Sequence, residues 1–188
     1  MLYPYIIATN SQKVLSLLAK YPDQDYYERE ISRRLGISSG SANRALNELF
    51  SSGVIKRRQE GKMYFYSLAH TDAVSTAFKK IINILLIEPL TEKLKKISNR
   101  IVLYGSCALG ADTSESDLDL FVVSNQKKEA SNLISDFKFP KGYGDIHIQS
   151  VVRTPIELLE GAGSECAFIE EVERGIVLWE KVANEPGV

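Results

Sequence analysis

The chain has 188 residues, 44% of them hydrophobic and 25% charged, and a formal net charge of -1. That length suits one ordinary domain or two small ones, and the composition is globular, which argues against a disordered segment. The longest strongly apolar run, Ile81 to Ile87, is far short of the ~20 residues that cross a bilayer. The N-terminal MLYPYIIATNSQK has neither the basic start nor the cleavage site of a signal peptide. Two cysteines, Cys107 and Cys166, suit a reducing compartment and are too few and too far apart to suggest a zinc site. The expected location is the cytoplasm.

Charge is unevenly divided. Residues 1–69 carry ten Lys/Arg against six Asp/Glu, a net +4, which leaves -5 for residues 70–188. A basic first third on an acidic remainder predicts two modules with different partners, with chance scatter as the plain alternative.

In SQKVLSLLAKY, Val14, Leu17, Leu18 and Tyr21 recur at helical spacing and predict an amphipathic helix capped by Asn10 or Ser11. YYEREISRRLGI repeats the pattern with Tyr27, Ile31 and Leu35 and breaks at Gly36. A third helix follows in SSGSANRALNELFSSG, with Ala42, Ala45, Leu46, Leu49 and Phe50 on one face and Gly53 as its stop. The tight turn at Gly36 has helix-turn-helix spacing. VIKRRQEGKMYFYSL then reads as a β-hairpin around Glu60-Gly61. Three helices followed by a basic hairpin, roughly residues 9–68, resemble the winged-helix family of DNA-binding domains.

With the apolar stripe of the third helix turned inward, Arg44 and Asn47 point outward, flanked by Ser41 and Asn43. Arg suits guanine and Asn suits adenine, because each can make two parallel hydrogen bonds in the major groove. Lys56, Arg57, Arg58 and Lys62 on the wing are candidates for phosphate contact, with Arg29, Arg33 and Arg34 on the second helix adding to the basic surface. The alternative use of such a module is protein contact or homodimerisation.

TDAVSTAFKKIINILLIEPLTEKLKKISNR is helical on both sides of Pro89, and the proline predicts one helix ending near Ile87 and another starting near Glu88. The first would be a linker or dimer helix whose Val74, Phe78, Ile81, Ile82, Leu85 and Leu86 are core positions. The expected division is 1–69, 70–87 and 88–188.

Ile101 to Tyr104 reads as a buried strand and Asp117 to Val123 as another. In the second, alternation sets Asp117, Asp119 and Phe121 on one face and Leu118, Leu120 and Val122 on the other. Two carboxylates on one strand face repel each other, and a divalent metal ion supplies the missing counter-charge. Gly105 has no side chain and lets a phosphate approach the backbone; Ser106 adds a hydroxyl and an N–H.

Gly-Ser, ten residues, then Asp-x-Asp, here Gly105, Ser106, Asp117 and Asp119, resembles the signature of the nucleotidyltransferase superfamily that includes DNA polymerase beta. The alternative is an Asp-rich turn beside a structural Gly-Ser. The resemblance covers about residues 88–183 and implies an α+β fold, with a mixed sheet and flanking helices following the winged helix-turn-helix domain. It also implies Mg2+ or Mn2+ held by Asp117, Asp119 and a third carboxylate, with a nucleoside triphosphate as substrate. In GYGDIHIQSVV, Asp145 is the only carboxylate and shares a face with His147 and Gln149; His147 or the more distant Asp136 are substitutes. Cys107, Ala108 and Leu109 stand where relatives often carry Arg or Lys, so triphosphate charge must be offset elsewhere, for instance by Lys127, Lys128 or Arg153. AFIEEVERGIVLWEKV predicts a closing helix and strand with Phe168, Val172, Ile176, Val177, Leu178 and Trp179 in the core.

The expected activity is metal-dependent transfer of a nucleoside monophosphate to an unknown acceptor by a chain whose winged helix binds DNA. Two alternatives stay open: a transcriptional regulator whose second domain binds nucleotide without chemistry, and an antitoxin that adenylylates a partner toxin.

Overall fold

The computed structural model describes residues 2–69, 72–144, 146–161 and 166–181. A short α1 (Tyr3–Ile6) precedes α2 (Asn10–Lys20). The cap of α2 is Thr9 rather than Asn10 or Ser11: Gln12 N–H donates to Thr9 Oγ1 at 3.1 Å, and Thr9 N–H donates back to Gln12 Oε1 at 2.9 Å. Only a residue three positions before Gln12 can make that reciprocal pair. After β1 (Tyr26–Tyr27), α3 (Glu28–Leu35) ends at Gly36, whose φ of 66° is left-handed. Ser38 caps α4 (Ser39–Ser51).

Ala42, Ala45, Leu46 and Leu49 are buried as the helical spacing predicts, but Phe50 is exposed. The ring of Phe50 lies under the Arg57 guanidinium, 4.4 Å from its centroid, so it packs on the wing instead of in the core. The wing consists of β2 (Ile55–Glu60) and β3 (Met63–Leu68), paired from Ile55↔Leu68 to Glu60↔Met63. Its two-residue turn is therefore Gly61-Lys62, one residue later than expected, with Gly61 at φ 60°. β1 adds to β3, giving the order β1-β3-β2.

Pro89 does not divide the next segment. A single helix, α5 (Ala73–Leu94), runs through it. An interior proline costs a helix roughly 3 kcal/mol. Leu86, Ile87, Leu90 and Leu94 are fully buried around it, and each contributes roughly 1.5–3 kcal/mol by leaving water. Burial outweighs the lost hydrogen bond. Ile82 and Leu86 pack into the first core with α2, α4 and the wing, whereas Ile87, Leu90 and Leu94 pack into the second. No described helix is long and apolar enough to cross a membrane.

The second unit follows as β4 (Arg100–Tyr104), α6 (Gly105–Leu109), β5 (Leu118–Val123), α7 (Lys127–Ser135), β6 (Ile148–Arg153), α8 (Pro155–Gly161), α9 (Cys166–Glu173) and β7 (Ile176–Glu180). Its sheet has the order β6-β5-β4-β7, antiparallel except for the parallel pair β5–β6. The architecture is thus mixed α and β, a helix-turn-helix unit with a wing followed by a mixed sheet with flanking helices. One sheet face sets Leu118, Leu120 and Val122 against Leu90 and Leu94 of α5 and Ala130 and Ile134 of α7. The other sets Phe121 and Val123 against Val172 and Phe168 of α9. Val177 differs from expectation: it is exposed, on an edge strand covered on one face.

One helix serving two cores ties the stability of the units together. Leu86→Ala removes side-chain volume from the first core and should cost roughly 2–5 kcal/mol. Trp179, the only tryptophan, reports on the second sheet. Its fluorescence transition in urea should move to lower denaturant with the loss of helical signal; an unmoved Trp179 transition would mean that the units unfold separately.

Candidate active site and nucleic-acid face

The two halves of the Gly-Ser/Asp-x-Asp pattern meet across the pair β4–β5, where Tyr104 stands opposite Asp119. The chain leaves β4 through Gly105, at φ 67°, and enters α6 at once. A Cβ on Gly105 would collide with Asp119 Oδ2. Glycine is thus required twice, for the left-handed turn and for the close approach of the carboxylate. Gly105→Ala is expected to cost roughly 1–3 kcal/mol in backbone strain and to displace Asp119. Urea unfolding checks the first effect, and an Asp119 carboxyl that titrates as in the parent would contradict the second.

Alternation sets Asp119 among Phe121 and Val123 on the α9 face, so its carboxylate is half-buried. Burial raises its pKa above the usual carboxylate value, and the charges of Asp117 and then Glu171 push it the same way. Asp117 precedes β5 and is more open, with 44% of its side chain exposed and its Oδ1 3.4 Å from His147 Nδ1. The parallel register pairs Asp119 with Gln149, and Leu118 N–H donates to the His147 carbonyl at 2.9 Å. The residue beside Asp119 is therefore an amide, and His147 stands by Asp117. Asp145 lies outside the described residues. Asp136 is the C-terminal cap of α7.

Among the described residues no group of three or more His, Cys, Asp or Glu gathers closely enough to hold a metal ion. Two carboxylates whose charges work against each other still fit Mg2+, which takes one or two carboxylates and fills its other positions with water and phosphate oxygens. Beside Gly105 a groove of about 460 Å³ runs between α6 and α9, lined by Ala108, Leu109, Glu170, Glu171 and Arg174. Arg174 brings a cation to this groove. The basic groups expected to offset phosphate charge stand elsewhere. Arg153 pairs with Val123 at the far end of the strand from Asp117, Lys127 and Lys128 open α7 beyond that end, and Lys127 is paired with Glu157 at 2.8 Å.

On α4, Arg44 is exposed, while its neighbours are already engaged. Asn43 donates to Glu28 Oε2 at 2.8 Å, Asn47 donates to Asn43 Oδ1 at 2.9 Å, and Ser41 N–H donates to Ser38 Oγ. Lys56 and Lys62 are exposed. Arg57 lies over the Phe50 and Tyr64 rings at 4.4 Å, and Arg58 is paired with Glu60 at 2.7 Å and Asp25 at 3.2 Å. A groove of about 480 Å³ between α3, α4 and the wing includes Arg29, Asn43, Lys62 and Tyr64.

Sequence reasoning did not single out Glu171 of α9 and Arg174 just past it, which line the groove beside Gly105, nor the action of the Glu171 charge on Asp119. It also missed a buried cluster of Lys20, Lys79, Asn83 and Asp112. Lys20 and Asp112 are 92 residues apart, and no local pattern joins them.

Residues 85–180 match the family model described as a nucleotidyltransferase domain, and residues 9–56 match the model of a winged helix-turn-helix that binds DNA. Among solved structures, reduced HlyU from Vibrio cholerae N16961 is 26% identical, covering 41% of this chain and 75% of its own, with a TM-score of 0.31. A protein described as a nucleotidyltransferase, from Sulfolobus solfataricus, is 14% identical, covering 56% of this chain and 87% of its own, with a TM-score of 0.37. No curated protein matches the chain.

Proposed function

The chain belongs to the nucleotidyltransferase domain family, and from that premise we propose that it moves a nucleoside monophosphate from a nucleoside triphosphate to an acceptor hydroxyl, using Mg2+ or Mn2+, while its winged helix holds DNA. The observation that carries this reading is the contact of the Asp119 carboxylate with side-chain-free Gly105, in a pair with Asp117. A carboxylate held at higher energy by burial and by its neighbour's charge is primed for a cation.

In this reading Asp117 and Asp119 hold the metal, which when bound supplies positive charge to the phosphates. Gly105 and Ser106 receive the triphosphate, Gly105 by leaving room and Ser106 by offering its N–H and hydroxyl. Arg174 adds a cation at the rim of the adjoining groove. The acceptor oxygen forms a bond to the α-phosphorus as the bond to the bridging oxygen breaks, and pyrophosphate leaves with that electron pair. We assign the acceptor's proton to Asp145, the one carboxylate in the sequence GYGDIHIQSVV. Residues 1–69 would bind nucleic acid, 70–87 connect, and 88–188 hold the nucleotide.

Incubation with labelled ATP, CTP, GTP and UTP in Mg2+ or Mn2+ tests the reaction, with pyrophosphate release from at least one as the expected result. Asp145→Ala should cut turnover by orders of magnitude and leave triphosphate affinity nearly unchanged, because its work lies in the transition state. The amide of Gln149 beside Asp119 favours a second reading, a DNA-binding regulator that senses nucleotide without chemistry. Metal-dependent binding with no pyrophosphate from any triphosphate would select it.

A further inference from the structure

The segment joining Gly105-Ser106 to Asp117 and Asp119 is held by the DNA-binding unit. Lys20, at the end of α2, is 1% exposed. Its ammonium donates to Asp112 Oδ2 at 2.5 Å and to Asn83 Oδ1 at 2.9 Å, and lies 3.8 Å from Cys107 Sγ. Asn83 Nδ2 donates to Asp112 Oδ1 at 3.1 Å and to the Cys107 carbonyl at 3.0 Å. Cys107 Sγ in turn donates to the carbonyl of Asp117 at 3.3 Å. Polar contacts, buried as far as Cys107, thus run without a break from α2 to the backbone of one of the two aspartates. A second hold lies three residues past Lys20. Asp23 accepts from Ser114 N–H at 3.1 Å and from Ser114 Oγ at 2.5 Å.

Charge balance does not account for Lys20. Lys79 faces Asp112 Oδ1 at 3.3 Å and also donates to the Asp112 backbone carbonyl, so one buried cation already matches the Asp112 carboxylate. A second buried ammonium adds desolvation cost without neutralising a further charge. What it contributes is a connection: Lys79 lies on α5, which serves both cores, whereas Lys20 belongs to α2 and ties the winged helix itself to the loop.

Resting on the reading of Gly105, Ser106, Asp117 and Asp119 as a metal–triphosphate site, we propose that Lys20 is a positioning residue of that site, with Asp23 as a second hold. The winged helix fixes residues 110–116 and through them the spacing of the Gly-Ser turn from the two aspartates. The site is then complete only when both units are present.

Two variants of the full chain test this. Lys20→Met keeps the side-chain length, removes the ammonium and leaves Lys79 to balance Asp112. Asp23→Ala changes an exposed residue and removes both hydrogen bonds to Ser114. Native-state amide exchange is measured first, because it requires neither metal nor activity. Each variant should speed exchange in residues 106–117 by about tenfold or more, equivalent to at least about 1.4 kcal/mol of local opening, while α4 and the wing exchange as in the parent. Mn2+ affinity, read by electron paramagnetic resonance without nucleotide, should fall roughly 10–100-fold, the loss common when groups that orient metal ligands are removed. Unchanged exchange at 106–117 in both variants would overturn the proposal, as would uniform loosening of α2, α4 and the wing, which marks a merely structural lysine. Failure of the parent protein to bind Mn2+ would instead count against the metal site itself, and the exchange result would still decide the role of Lys20.

Discussion

Asp119→Asn is expected to abolish metal-dependent triphosphate binding and at the same time to stabilise the metal-free protein. The two effects have one cause. Burial, Asp117 and Glu171 all disfavour the Asp119 carboxylate, so the folded protein holds it against its own electrostatics. An amide of the same shape removes that cost. It also removes a charged oxygen ligand, and metal affinity should fall by at least about a hundredfold, more than when a supporting group is lost. The pH dependence has a definite sign. A carboxyl whose folded pKa lies above its unfolded value stabilises the protonated native state, so stability declines as pH rises from the unfolded value through the folded one. That decline belongs to the parent and should vanish in Asp119→Asn. Isothermal titration of triphosphate with and without Mg2+, together with urea unfolding from pH 3 to 7, measures both. Equal affinity with and without Mg2+ in the parent would remove the metal role, and a destabilised variant would show that the carboxylate is structural.

Duplex DNA should bind with an affinity that falls steeply as salt rises, and the wing should carry a measurable share of the slope. Each phosphate neutralised contributes roughly 0.9 to the slope of log affinity against log salt. Replacing Lys56, Arg57 and Arg58 together by Ala removes three cations, but Arg58 is already engaged by Glu60 and Asp25. The slope should therefore drop by about two rather than three. Arg57 stacks on Phe50 and Tyr64, so its loss also loosens the wing against α4. Arg44→Ala should act differently, relaxing preference at one base position by roughly 1–3 kcal/mol while leaving the salt slope nearly intact. Asn43 and Asn47 are held by Glu28 and by each other, which turns the α4 face toward Arg44 as its most open reader. Binding that ignores salt would point to protein contact as the use of this surface.

Several features were legible in the sequence because they repeat at the period of the local backbone. Val14, Leu17, Leu18 and Ile31 are all fully buried, as helical spacing requires. Leu118, Leu120 and Val122 fall on one sheet face and Phe121 on the other, as strand alternation requires. Gly105 and Asp119 could be linked by spacing alone, since two adjacent antiparallel strands bring the end of one to the start of the next. The order of modules followed from the same local rules.

Other features depend on a balance that no window of sequence contains. A proline such as Pro89 stops a helix wherever nothing offsets its lost hydrogen bond, and here burial between two cores outweighs that loss. Phe50 keeps helical spacing but finds Arg57 of the wing in place of the core. Arg153 is near Asp117 in neither sequence nor space, because the parallel register of β6 on β5 puts it beside Val123; Arg174, just past α9 on the other sheet face, lines the groove beside Gly105. The sequence by itself determined most of the helices and strands, most of their inward faces and the Gly-Ser/Asp-x-Asp pairing, all of which act within one or two strands or turns. Only the tertiary structure decided that α5 is continuous and that Gln149 flanks Asp119. It alone set Lys20 of the winged helix-turn-helix unit on Asp112 of the loop between α6 and β5. Contacts between residues far apart in the chain depend on how whole elements pack, and hydrophobic periodicity records which face is buried but not what it is buried against.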